Sequence, residues 1–137
     1  MATNRAKLGA YYKGRTKRWL MADGWQVADL EVVRWIPRPG GELLPVKRDQ
    51  LGSDLLAVCP DRGVVFVQAK GGETWRKNIA AARKEFWRFE FPEESQQWIV
   101  GWSPRARRPD VIVVERESEA AAAYRARREA EHADAPF

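Results

Sequence analysis

The sequence predicts an α/β domain on a mixed, partly antiparallel sheet, and three observations carry that prediction. Two apolar runs, SDLLAVC (53–59) and GVVFVQAK (63–70), follow one another across the short turn PDRG. Such runs, with no polar alternation, suit strands buried on both faces. A stretch with helical spacing comes next, and two more β-rich runs, QQWIVGW (96–102) and DVIVVE (110–115), come after it. Three strands in succession suggest an antiparallel meander. A helical crossover then brings the fourth strand in parallel to its neighbour.

Taken in order, residues 1–10 read as a loose basic arm. A helix is expected from about Tyr12 to Asp23, with Trp19 and Leu20 toward the core, the basic residues outward, and Gly24 just past its end. WQVADLEVVRW (25–35) is rich in Val and Trp and reads as a strand. IPRPGGELLPVKRDQ (36–50) reads as a loop or bent hairpin, broken by three prolines and two glycines. After Gly71 and Gly72, Thr74 can cap a helix from about Trp75 to Phe89. Its apolar positions are Trp75, Ile79, Ala82, Phe86 and Phe89, and Pro92 lies beyond. The basic turn SPRARRP joins the last two strands as a hairpin. The Ala-, Glu- and Arg-rich tail is helical to about Glu131, with 132–137 frayed.

A chain of 137 residues is one domain, 1–137, by the usual prior, and long enough for a real core. No apolar run nears the roughly 20 residues of a membrane span. The basic N-terminus has no apolar stretch behind it and does not read as a secretory signal. One cysteine, Cys59, and one histidine, His132, make neither a disulfide nor a zinc site. A soluble, cytoplasmic protein is expected (host cytoplasm, if phage-encoded). There is no glycine-rich phosphate loop and no Ser-His-Asp set, which sets aside nucleotide hydrolysis and acyl transfer.

The net charge is +5 and unevenly placed. Arg5, Lys7, Lys13, Arg15, Lys17 and Arg18 all precede the first acid, Asp23. Arg76, Lys77, Arg83, Lys84 and Arg88 form a second set, and Arg105, Arg107 and Arg108 a third. Clustered cations are the footprint of a phosphate partner. Lys13–Arg15, read as a helix start, suits a phosphate site. Trp75 and Arg76, close behind Lys70, are expected to touch DNA, with Lys13, Arg15, Lys17, Arg18, Lys77 and Arg83 along the backbone. Most of the seven tryptophans are expected in the core; Trp98 and Trp102 share a strand face, and Trp87 can meet them from the helix.

Alternation puts Gln68 and Lys70 on one face of their strand. Asp54 opens the neighbouring strand. In an antiparallel pair with a short turn, the start of the first strand lies beside the end of the second, so the three can converge. A carboxylate and carbonyl oxygens are hard ligands, suited to Mg²⁺, which keeps several waters and takes phosphate oxygens as the rest. Such a cation offsets charge on a scissile phosphate and lowers the pKa of a bound water. Lys70 would orient that water or stabilise the transition state.

The aspartate opening one strand and the QAK ending the next resemble the PD-(D/E)xK nucleases, whose restriction-endonuclease-like core runs α-β-β-β-α-β. The stretch KRDQLGSDLLAV…VVFVQAK, with the basic helix and WIVGW behind it, is similar to phage and archaeal-type Holliday junction resolvases over roughly residues 11–115. The resemblance implies a homodimeric, Mg²⁺-dependent endonuclease (Mn²⁺ as substitute) that resolves four-way DNA junctions by paired nicks, with Asp54, Gln68 and Lys70 catalytic and Asp54 and Gln68 on the metal. Two departures stand out. Gln68 replaces the usual glutamate, and the first helix lacks the usual acid. Glu31 or Asp49, ranked equally, can supply a further ligand; Glu73 is another candidate and Asp29 a weaker one. The alternatives are a nuclease of the same fold on other DNA, restriction-like or flap-cutting, and a non-catalytic DNA-binding module.

Overall fold

The computed structural model describes the backbone of residues 2–49, 51–115 and 119–133, and the side chains of 7–30, 35–45, 51–115 and 122–131. The elements are α1 (Ala2–Ala22), β1 (Gln26–Asp29), β2 (Glu31–Pro37), β3 (Leu43–Asp49), β4 (Leu55–Cys59), β5 (Gly63–Gly71), a 3-10 turn (Trp75–Asn78), α2 (Ile79–Trp87), β6 (Ser95–Trp102), β7 (Asp110–Val113) and α3 (Glu119–Ala133). Five strands form one mixed sheet in the order β1-β4-β5-β6-β7, while β2 and β3 form a separate two-stranded sheet. The β1–β4, β4–β5 and β6–β7 pairs are antiparallel, and β5–β6 is parallel across the α2 connection. Among the described residues no helix is long and apolar enough to cross a membrane.

The sheet is covered on both sides, which is why its central strands read as unbroken apolar runs. On one side α1 packs Tyr12 and Leu20 against Leu55, Ala57, Val65, Val67, Val100 and Trp102, with Trp25 joining them. On the other, Ala82 and Phe86 of α2 meet Ile99 and Val114, with Phe66, Phe91 and Ile112 around them. α3 lies against α2, and the Arg125 Nε–H donates to the Trp87 carbonyl. A buried polar link fastens α1 to β6: the Trp102 Nε1–H donates to Thr16 Oγ1 at 2.8 Å, and the Thr16 hydroxyl donates to the Tyr12 carbonyl at 2.7 Å.

Two glycines set how closely the layers approach. A Cβ at Gly71 would enter the Tyr12 ring, and one at Gly101 would enter the Trp75 ring. Both aromatics therefore lie directly on sheet backbone, one on each face.

The structure corrects the sequence reading at several places. α1 begins at Ala2, so residues 2–10 are helical rather than a loose arm. They lack an apolar period but contain good helix formers, Ala, Arg, Lys and Leu. Lys13–Arg15 is consequently mid-helix, where the N–H groups are already bonded, and offers no terminal phosphate site. The segment 25–35 is two strands in two sheets, parted at Leu30, whose N–H donates to the Asp54 carbonyl at 2.9 Å. The bent hairpin over 36–50 is β3 returning on β2. The helix after Thr74 starts as a 3-10 turn, Thr74 makes no side-chain cap, and α2 stops at Trp87. Trp98 and Trp102 share the α1 face, where they meet Trp25 and Trp19 edge-on. Trp87 packs on the opposite face and cannot reach them. Gly101→Ala is expected to lower unfolding free energy by about 1–3 kcal/mol, the usual penalty of overpacking, as read by urea titration.

Candidate functional site

The β4–β5 register, Leu55↔Val67 through Cys59↔Gly63, brings the entrance of β4 beside the exit of β5. Leu55 and Val67 point into the α1 core. Alternation turns the next residue of β5, Gln68, toward α2, and Asp54 stands in the bend just before β4. The Asp54 N–H donates to the Val67 carbonyl, and the Asp54 Oδ2 accepts the Ala69 N–H, each at 2.8 Å. The carboxylate thus sits on the backbone N–H between Gln68 and Lys70.

Gln68 is 4% exposed. Its amide Nε2 donates to the Gly52 carbonyl and, at 3.3 Å, to the Ala82 carbonyl of α2. Two carbonyl acceptors demand the NH₂ end there, which fixes the Oε1 on the other side. Among the described residues no donor reaches that oxygen. The 51–54 segment itself passes close under α2, since a Cβ on Gly52 would touch the Glu85 carbonyl, and Gly52 has φ +65°. Sequence reasoning did not find Gly52 and Ala82 as holders of Gln68, because carbonyl acceptors carry no side-chain signature. Lys70 is half-buried, and among the described residues no carboxylate pairs with it.

A hard cation suits the donor types present, one carboxylate and one amide oxygen. Among the described residues no three acidic, histidine or cysteine side chains converge, so such an ion would be held weakly. The further acids proposed from sequence separate clearly. Asp29 is engaged by Lys13 at 3.1 Å and Lys17 at 3.2 Å, and the hydrogen bond from Lys13, helped by Lys17, holds its carboxyl below the usual range. Glu73 is exposed in the turn after β5. Glu31 and Asp49 form one rung at the root of the β2–β3 hairpin, next in chain to the Leu30 that bonds Asp54; their side chains lie outside the described residues.

The basic residues gather at this same end of the sheet. The Gly72 N–H donates to the Trp102 carbonyl at 3.0 Å, so β5 and β6 finish together. Arg15 of α1 stacks on the Trp102 ring at 4.3 Å and donates to the Ala106 carbonyl, tying the 103–109 loop to the helix. That loop presents Arg105, Arg107 and Arg108 to solvent. Arg76 stacks on Trp75 at 4.6 Å and pairs with Asp110 beside the loop. Lys77, Arg83 and Arg18 are exposed. Arg15, Arg76 and the arginine-bearing 103–109 loop, far apart in sequence, thus meet at one end of the fold, although Lys13, Lys17, Arg15 and Arg76 have part of their hydrogen-bonding capacity committed within it.

Trp75 is a correction. It is 2% exposed, lies on Gly101 and donates its indole N–H to Ser103 Oγ at 3.2 Å. Its ring faces are taken by Gly101 and Arg76, so it is a packing residue and not a DNA contact. No family model, curated protein or solved structure matches the chain.

Gln68→Glu would set a carboxylate against two carbonyl oxygens. Burial and those oxygens raise such a pKa. The penalty is therefore absent below about pH 4, where folded and unfolded chains are both protonated, and grows as pH rises toward the raised value. Unfolding measured against wild type at each pH should show a loss of about 1–3 kcal/mol at pH 8 that vanishes near pH 4. Asp29 has the opposite sign. Its lowered pKa contributes stability above the ordinary aspartate range that disappears as pH falls through the folded value. With a side chain 46% exposed, Asp29→Asn should cost under about 1 kcal/mol at pH 7 and nothing at pH 2 in the same assay.

Proposed function

We propose that the chain is a Mg²⁺-dependent DNA endonuclease of the PD-(D/E)xK type that acts as a homodimer on four-way junctions and resolves them by paired nicks. The observation that carries this reading is the Asp54 carboxylate seated on the Ala69 N–H, between Gln68 and Lys70, at the end of the sheet where the basic residues gather. The element order supports it as well: with the β2–β3 hairpin set aside as an excursion, α1, β1, β4, β5, α2 and β6 run α-β-β-β-α-β in the connectivity of a restriction-endonuclease-like core.

In this reading Asp54 and the Gln68 Oε1 would hold the cation, with Glu31 or Asp49 as a further ligand. When bound, the ion offsets charge on the scissile phosphate and makes a water acidic enough to attack. Lys70, without a carboxylate partner among the described residues, keeps its ammonium for the negative charge that builds up in the transition state or for orienting the attacking water. The exposed arginines and lysines around the site hold flanking phosphates by shape and charge rather than by sequence, so binding weakens steeply with salt. A junction has two-fold symmetry, which two sites on a C2 dimer can match.

A second reading has a specific motive. With Gln68 committed through its amide and no triad of ligating side chains among the described residues, a DNA-binding module without catalysis is the rival. The protein with Mg²⁺ or Mn²⁺ is given a four-way junction, a flap and a linear duplex. Selective cutting of the junction is expected, whereas equal cutting of all three points to a restriction-like or flap enzyme. Lys70→Ala should reduce cutting about 100-fold or more while binding stays within about 3-fold. A mutant that cuts like wild type removes Lys70 from the site, and a wild type that binds tightly but never cuts establishes the module.

A further inference from the structure

The β2–β3 hairpin belongs to neither face of the main sheet. Its seven pairs, Glu31↔Asp49 through Pro37↔Leu43, close at a turn where the Arg38 N–H donates to the Glu42 carbonyl at 2.8 Å. Gly40 and Gly41, with φ +122° and +87°, supply the turn's left-handed backbone. An isolated two-stranded sheet is marginal in water, and apolar side chains on it gain little by folding alone. Yet this one exposes Trp35 at 61%, Leu43 at 59%, Ile36 at 41% and Leu44 at 37%. Trp35 is the most exposed large apolar side chain among the described residues. By the register, Trp35 and Leu43 share one face of the ribbon and Ile36 and Leu44 the other, and exposed apolar side chains on a free ribbon point to a binding surface.

We propose that this ribbon is a DNA-engaging arm, and that Trp35 stacks on bases left unpaired or unstacked where duplex arms meet. This rests on the nuclease reading only for the branched substrate; the DNA contact itself does not need cleavage. Three observations choose DNA over a second copy of the chain. First, the ribbon sequence is cationic by one charge: Arg34, Arg38, Lys47 and Arg48 outnumber Glu31 and Asp49 at the root and Glu42 at the turn. The core of a protein–protein interface is depleted of charge. Second, the dimensions fit. Seven residues of strand span about 23 Å, and a two-stranded ribbon enters a major groove about 12 Å wide. Third, the arm is rooted at the site. Leu30, the residue before β2, donates to the Asp54 carbonyl, so the base of the arm lies beside Asp54 and DNA held along it runs toward that residue. An aromatic face accepts any base, which suits a partner recognised by branching rather than sequence. Insertion is least costly where stacking is already interrupted.

The test uses the full chain, Trp35→Ala and Trp35→Phe, with Ca²⁺ replacing Mg²⁺ to hold substrate intact. Anisotropy titrations use a labelled four-way junction and a linear duplex of matched sequence, and a 2-aminopurine placed at the branch point reports unstacking. Trp35→Ala should weaken junction binding about ten-fold, the size of one lost base–aromatic stack, and lose the 2-aminopurine change. Duplex binding should hold within about 2-fold, and Trp35→Phe should retain most of the junction affinity. Unchanged junction binding overturns the proposal, as does an equal loss on junction and duplex. Conversion of a dimer to a monomer with DNA affinity per protomer unchanged also overturns it and makes the ribbon a self-association arm. If wild type binds the junction but never cuts it with Mg²⁺ while Trp35→Ala loses binding, the nuclease reading falls and the arm stands. If wild type binds no DNA, both fall.

Discussion

The antiparallel pairing of β4 with β5 is the constraint on which the candidate site depends. A register of Leu55↔Val67 buries both residues against α1 and, in the same step, turns Gln68 to the other face and sets Asp54 at the mouth of β4. A slip of one residue would put the carboxylate into the apolar core and a valine at the mouth, at a cost that no loop could offset. The short Cys59–Gly63 connection limits such slippage. The Asp54 side chain reinforces the register by accepting the Ala69 N–H where the ladder ends. The group proposed for metal binding is therefore also the terminator of a strand pair.

Packing on the two faces then positions everything else. Tyr12 lies on Gly71 and Trp75 on Gly101, so each face has an aromatic pressed onto backbone at the same end of the sheet. Those contacts carry α1 and the 3-10 turn, and with them Lys13, Arg15, Arg76 and Lys77, to the exit of β5. The Arg15 stack on Trp102 and its bond to Ala106 bring the 103–109 loop to the same place. The basic rim is thus a product of core geometry as much as of surface composition.

The chemistry at the centre is sparse. One carboxylate and one amide oxygen would hold a hard ion only weakly, and the hairpin root bearing Glu31 and Asp49 stands next to Asp54 through Leu30. The same root carries the ribbon with its exposed tryptophan. One insertion between β1 and β4 would in this reading serve both the metal shell and the grip on DNA, which couples binding to the cutting centre by simple chain continuity.

Periodicity and strand order were legible in the chain: the apolar runs of β4 and β5, the alternation of Gln68 with Lys70, the helical crossover and the parallel β6 all follow from local pattern. So did the placing of Asp54 beside the backbone at the exit of β5, because a short antiparallel turn leaves little choice. Other features needed tertiary structure. The split of 25–35 at Leu30 is decided by which neighbour each half pairs with, and both halves look equally β-prone. The helicity of residues 2–10 has no apolar period to announce it. The fate of Trp75 could not be read, since a tryptophan behind a lysine is alike in sequence whether it lies on a glycine or faces solvent. Trp35 is the converse case, an aromatic in an apolar run whose exposure exists only because its hairpin stands outside the sheet. Local sequence sets what a segment can form; which side chains remain in water is set by contacts between segments distant in the chain.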